Sequence, residues 1–183
     1  MKWVLVGLGV VATVVLCVVA VGMLLPRDHV ATLSARVAAP PTAVWATITD
    51  PTTFPAWRAG VTRVEVVRTA SNDLSWREYS GDDSITMIVD VSEPPRRLIT
   101  RIADENLPYG GRWEFQIEPD GPAASRVVVT ERGSVYNPVF RFVSRFVMGH
   151  TKTIDTYLRA LGKHFGNEPT PTIVVAPGSA HGV

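Results

Sequence analysis

Residues 135–165 read VYNPVFRFVSRFVMGHTKTIDTYLRALGKHF, and their periodicity decides the fold. Asn137-Pro138 opens a helix, with a side-chain acceptor at the cap and a proline in the first turn. Helical spacing places Val139, Val143, Phe146, Val147, His150, Ile154, Tyr157, Leu161 and Phe165 on one face, with Tyr157 at its margin. Arg141, Arg145, Lys152, Arg159 and Lys163 fall on the other. The spacing thus predicts one long helix with a wide apolar stripe. Such a stripe must lie on another apolar layer, and the segments before it supply a sheet.

Alternation marks the strands. His29–Ala38 alternates until Pro40-Pro41 stops it, and Pro41–Thr49 then reads as a short helix with Val44, Trp45 and Ile48 on one side. Asp50-Pro51 turns the chain, Thr52–Trp57 makes a second short helix or turn, and Gly60 releases strand 61–69. Asn72-Asp73 is a hairpin signal before strands 74–80 and 84–91. Strands 97–103, 112–118 and 126–133 follow, separated by Pro94-Pro95 and by the turn Pro119-Asp120-Gly121-Pro122. The expected class is α+β: seven antiparallel strands, in the order β-α-α-β6-α, curled around the final helix.

The segments AAPPTAVWATITDPTTFPAW, EPPRRLITRI, GGRWEFQIEP and ERGSVYNPVFRFVSRFVMGHTKTIDTYLRAL, in that order, resemble the polyketide cyclase/dehydrase and lipid-transport family of the SRPBCC (START-like) superfamily. The resemblance covers about residues 30–165. It implies a helix-grip fold, in which a curved sheet grasps the C-terminal helix over a deep cavity. It leaves the activity open, because members include hydrophobic-ligand carriers, cyclases and ring-hydroxylating subunits, and one fold serves many functions.

Strand parity selects the side chains expected to line that cavity: Trp76, Glu78, Met87, Thr100, Trp113, Phe115 and Glu131 from the sheet, and Val143, Val147, His150, Ile154 and Tyr157 from the helix. The lining is aromatic and aliphatic with few polar groups, which suits a hydrophobic small molecule or lipid. Glu131 has alternatives: pairing with Arg101 or Arg132, or capping a backbone group. Glu78 turns outward if a bulge slips the register. Trp45 and Trp57 read as packing residues or as a gate at one mouth. The first reading is a non-catalytic binder or transfer module. The alternative is a cyclase or dehydratase using His150 or Glu131 as acid or base. No catalytic nucleophile, metal-ligand spacing, Rieske-type segment or phosphate loop is present, and no cofactor is expected.

The N-terminus speaks of location. Trp3–Leu25 holds 23 residues without a charge, about 34 Å as a helix against a hydrocarbon core of about 30 Å. An uncleaved single-pass anchor over residues 1–27 is the expectation; a signal peptide ending near Val18–Ala20 is the alternative. Lys2 on one side and Arg27 and Arg36 on the other give little charge bias, slightly favouring an extracytoplasmic domain. The lone Cys17 lies inside the span, so the soluble part has no thiol for a disulfide. Residues 28–166 form one domain, and 167–183 read as a disordered tail. The net charge of +1 gives no footprint for nucleic acid. A membrane and a hydrophobic ligand are the expected partners; the sequence names no protein partner. The basic stripe on the helix is either an ordinary solvated face or a contact for anionic headgroups.

Overall fold

In the computed structural model, residues 2–68 and 74–174 are described. Helix α1 (Lys2–Leu24) leads into strand β1 (Asp28–Val37), then α2 (Pro41–Ile48) and a 3-10 turn (Pro51–Thr53) that runs into α3 (Phe54–Trp57). Strands β2 (Arg63–Arg68), β3 (Leu74–Ser80), β4 (Asp83–Glu93), β5 (Arg97–Ile102), β6 (Tyr109–Pro119) and β7 (Ser125–Val135) follow. The chain closes with α4 (Pro138–Val143), α5 (Lys152–His164) and a short β8 (Thr172–Ile173). All strand pairs are antiparallel, in the order β2-β3-β4-β5-β6-β7-β1-β8. The first strand therefore slots in beside the last long one, from Asp28 opposite Ser134 to Val37 opposite Ser125. The expected hairpin signal Asn72-Asp73 lies outside the described residues.

Local chemistry explains the elements. Asp50 accepts from the Thr52 backbone N–H and starts the 3-10 turn. Asn137 Oδ1 accepts from the N–H groups of Val139 and Phe140, capping α4. Ala31, Leu33, Ala35 and Val37 alternate inward along β1 and are buried, facing Val127 and Val129 of β7. Ile154, Leu158 and Leu161 of α5 are fully buried on the same core, with Leu98, Phe115 and Ile117.

The structure corrects three expectations. The long helix is broken: a π-helical turn over Ser144–Met148 ends at Gly149, whose φ is +74° and whose N–H reaches the Ser144 carbonyl. The extra residue in the turn and the left-handed glycine take the chain out of step with the 3.6-residue repeat. The stripe is split as a result. The α5 half faces the sheet, while Val139, Phe146 and Val147 stay exposed, at 41%, 60% and 73%. Val147 therefore does not line the interior. Arg141 does not belong to a solvated face either: it is buried, donating to the carbonyls of Leu25 and Tyr136.

The third correction concerns the tail. Residues 167–174 are tied to the domain: Asn167 accepts from the Ala38 N–H and donates to the Arg36 carbonyl, Pro169 packs against Gly162, and β8 adds an eighth strand beside Ser34 and Leu33. Hydrogen bonds the periodicity of a proline-rich segment does not advertise hold it there. Residues 175–183 lie outside the description.

Because α5 supplies the core's lid through fully buried leucines, Leu158→Ala should destabilise the full-length protein by about 3 kcal/mol. Urea unfolding in detergent, followed by tryptophan fluorescence, measures the change.

Candidate functional site

The strand register builds the inner surface in rows. Ala31, Glu131, Trp113, Thr100 and Val89 stand opposite one another across five strands. One row further on come His29, Gly133 and Gly111, and beyond them Ile102, Met87 and Trp76. Tyr157 of α5 caps this surface, in contact with Trp113, Phe115 and Trp57 at ring separations of 5.4–5.5 Å.

One end is closed by the protein's own side chains. Trp57 and Phe54, brought in by α3, meet Trp76 and Tyr157 edge to face. Beneath them Glu78 accepts from Arg58 Nη1 and Trp76 Nε1, each at 2.8 Å. The Arg58 guanidinium lies over the rings of Phe54 and Tyr157. Glu78 points inward and is only 8% exposed. The bulge that would turn it outward is not in β3 but in β4, between Val89 and Val91. Burial raises the Tyr157 hydroxyl well above its usual range, so it stays protonated. This constellation is structural: a paired charge roofed by aromatics.

The other end is polar and part open. His29 and His150 stack with centroids 4.1 Å apart. Glu131 Oε1 lies 3.7 Å from His29 Nε2, while its other carboxylate oxygen, Oε2, is buried and has no partner among the described residues. His150 Nδ1 shares a 3.2 Å hydrogen bond with Ser144 Oγ. Glycine at 133 makes the stack possible, and a second glycine, at 111, lets β6 approach β7 beside it. A side chain at Gly133 would collide with the His29 ring, and one at Gly111, with φ +150°, would collide with the Arg132 carbonyl. His150 is held below its usual pKa, chiefly by burial and then by His29 and Arg145, with Glu131 opposing. The site thus offers a neutral imidazole, a second histidine and a carboxylate with one unengaged oxygen.

Of the residues expected from parity, the structure gathers Thr100, Trp113, Glu131, His150, Ile154 and Tyr157 around the inner surface, with Met87 beside them and Phe115 in the core below. Trp76 and Glu78 belong to the closed end. Val143 is half-buried on α4, and Tyr157 sits at the centre of the α5 face rather than at its margin. Glu131 pairs with His29 rather than with Arg101 or Arg132, because both arginines point to the opposite side of the sheet. His29 was missed by the sequence reading, although its parity with Ala31 and Leu33 already marks it as inward. Arg58 and Ser144 carried no such signal, since each depends on an irregular turn. Among the described residues no group of His, Cys, Asp or Glu is arranged to hold a metal. A depression of about 500 Å³ is lined by outward-facing residues, among them Arg101, Arg112 and Arg132 in register, together with His29, Gly111 and Gly133.

The His150 environment has a pH signature. Because folding lowers its pKa, the unfolded chain takes up the proton first as pH falls, so stability is fullest above about pH 6.5 and declines as pH drops through the lower folded value. His150→Gln should flatten the fall in melting temperature between about pH 7 and pH 5. A decline as steep as that of the parent chain would contradict this placement.

Sequence comparison gives the family, and comparison with solved structures gives the fold. The family described as polyketide cyclase/dehydrase and lipid transport matches residues 28–165. No curated protein matches the sequence. Among solved structures, the chain is similar to a START superfamily protein from Mycobacterium smegmatis, at 17% identity over 75% of this chain and 97% of that one, with a TM-score of 0.57. It is similar also to the Zhui aromatase/cyclase from Streptomyces sp. R1128, at 13% identity over 75% and 93%, TM-score 0.61. A Thalictrum norcoclaurine synthase matches at 11% identity over 75% and 94%, TM-score 0.58. With START-like topology and most of its length inside the matched region, the chain belongs to the polyketide cyclase/dehydrase and lipid transport family.

Proposed function

We propose that this protein binds or transfers a hydrophobic small molecule or lipid while anchored to a membrane by α1. The observation that carries the reading is the unengaged Glu131 oxygen beside the part-open His29–His150 stack, at the edge of an apolar inner surface. A buried polar atom without a partner is costly, and a polar group on a bound ligand satisfies it. Trp113, Tyr157, Thr100, Met87 and Ile102 then contact the apolar body, while Glu131, His29 and His150 fix its polar end. Membership in a family whose description includes lipid transport supports this assignment.

The anchor belongs to the same reading. Helix Lys2–Leu24 is long and apolar enough to cross a membrane. The domain covers Gly22 and holds the Leu25 carbonyl, so the helix end is packed as part of the fold. This packing supports retention of α1 as a single-pass anchor, and the slight charge bias of the sequence favours a domain on the extracytoplasmic side. Intact-protein mass spectrometry of membrane extracts should return the uncleaved chain.

A second reading is favoured by one observation. Three titratable groups, His29, Glu131 and His150, meet at one spot, which is the equipment for moving protons on a bound hydrophobic substrate. In that case the fold serves a cyclase or dehydratase-like enzyme. The neutral His150 acts as base, and Glu131 or His29 returns the proton.

Native mass spectrometry of the full-length protein, extracted in mild detergent, should reveal a co-purifying apolar molecule. Ile102→Trp, which crowds the part-open end in the row of His29, Gly133 and Gly111, should lower its occupancy about tenfold, the loss of about 1.4 kcal/mol in binding. In the carrier reading Glu131→Gln and His150→Ala should weaken its retention, because these groups hold its polar end. Loss of turnover on a candidate substrate with binding retained marks the enzyme. An empty parent protein, unable to take up any apolar probe, contradicts both.

A further inference from the structure

We propose that α4 and the π-helical turn after it form a second membrane-embedded element, which seats beside the anchor and turns the mouth of the site toward the bilayer. The inference rests on α1 being a membrane span. Along α1, Val18, Val19, Gly22 and Leu25 are the residues covered by protein, a single stripe at helical spacing. Helix α4 packs on that stripe. The approach is close: a Cβ at Gly22 would collide with the Pro138 carbonyl. Arg141 locks the junction by donating to the Leu25 carbonyl at 3.2 Å and to that of Tyr136 at 3.0 Å.

This packing sets the depth of α4. Val18 to Leu25 covers about 10 Å of helix at roughly 1.5 Å per residue. The whole apolar span, about 34 Å, exceeds a hydrocarbon core of about 30 Å only slightly. The last 10 Å of the anchor therefore sits in the outer hydrocarbon and interface, and whatever packs there shares that depth. The surface that α4 and the turn present fits those surroundings. Phe140 is 50% exposed, Phe146 60% and Val147 73%, with Val139 beside them. Such a run of exposed apolar residues is a liability in water and suits lipid. Its polar groups are accounted for. Arg141 is turned into the junction, Ser144 bonds to His150, and exposed Arg145 has the reach to snorkel to lipid phosphates. Tyr136, half exposed at the start of the segment, is a residue type that favours the interface.

The consequence concerns the site. His150 follows the turn after a single glycine and is hydrogen-bonded to Ser144 within it. The His29–Glu131–His150 end of the inner surface therefore adjoins the embedded segment. An apolar molecule passes between bilayer and site along this segment without crossing water.

The test uses the full-length chain with Cys17→Ala, reconstituted at one copy per phosphatidylcholine nanodisc. Single cysteines (Val10→Cys, Phe146→Cys, Val147→Cys, Lys163→Cys) carry a polarity-sensitive fluorophore, and the lipid carries a nitroxide on its acyl chain. Labels at 10, 146 and 147 should be quenched and blue-shifted, and the label at 163 should not. Quenching at 10 without quenching at 146 and 147 overturns the proposal while leaving the anchor standing. An unquenched label at 10 overturns both. Should a second copy of the chain cover the segment instead, labels at 146 and 147 will be unquenched in single-copy discs and will cross-link between copies in detergent, which also refutes the proposal.

Discussion

Helix α5 is the main cover of the apolar inner side of the sheet, with α2 adding Val44 and Ile48, and the remaining arrangement follows from that contact. Leu33 and Val37 of β1, Leu98 of β5, Ile117 of β6 and Val129 of β7 are shielded by Ile154, Leu158 and Leu161. A single helix is narrower than eight strands, so the sheet has to bend around it. Side chains beyond the reach of α5 need another partner. At one end α3 supplies it with Phe54 and Trp57. At the other, no helix of comparable length arrives, and the histidines and Glu131 remain part exposed.

The two ends differ in chemistry for the same reason. At the roofed end an inward carboxylate is tolerable only because Arg58 and the Trp76 indole satisfy one of its oxygens, and the price in desolvation is shared among them. At the part-open end Glu131 has a distant histidine partner and a spare oxygen. A paired, roofed charge holds a fold together. An inward charge left partly unpaired, beside imidazoles and aromatic walls, has capacity for something else to bind. The inner side of the sheet is thus divided into a packed, roofed end and a polar, part-exposed end, instead of one open hollow.

The junction between α1 and α4 joins the N-terminal apolar helix to the polar end of the inner surface. Glycine at 22 permits backbone contact with Pro138, and Arg141 spends its donors on two carbonyls at the helix end. The same glycine-terminated turn that breaks the C-terminal helix also carries His150 to the His29 ring. One local departure from helical geometry therefore creates both the exposed apolar segment and the stacked pair.

Much of this was legible in the residues. Alternation in β1, β3, β5, β6 and β7 identifies the strands and their inward faces, and it marks Thr100, Trp113 and Glu131 because period-two geometry is local. The spacing of Ile154, Tyr157 and Leu161 likewise identifies the face of α5, and the uncharged stretch from Trp3 identifies α1. The residues decide which segments are strand or helix and which side of each is apolar. Only tertiary structure decides the partners. It breaks the final helix at Gly149, directs Val147 outward, brings His29 across Gly133 to His150, and ties Asn167 to the end of β1. Each of these depends on contacts between residues distant in sequence or on one glycine's positive φ, and neither leaves a periodic trace in the chain.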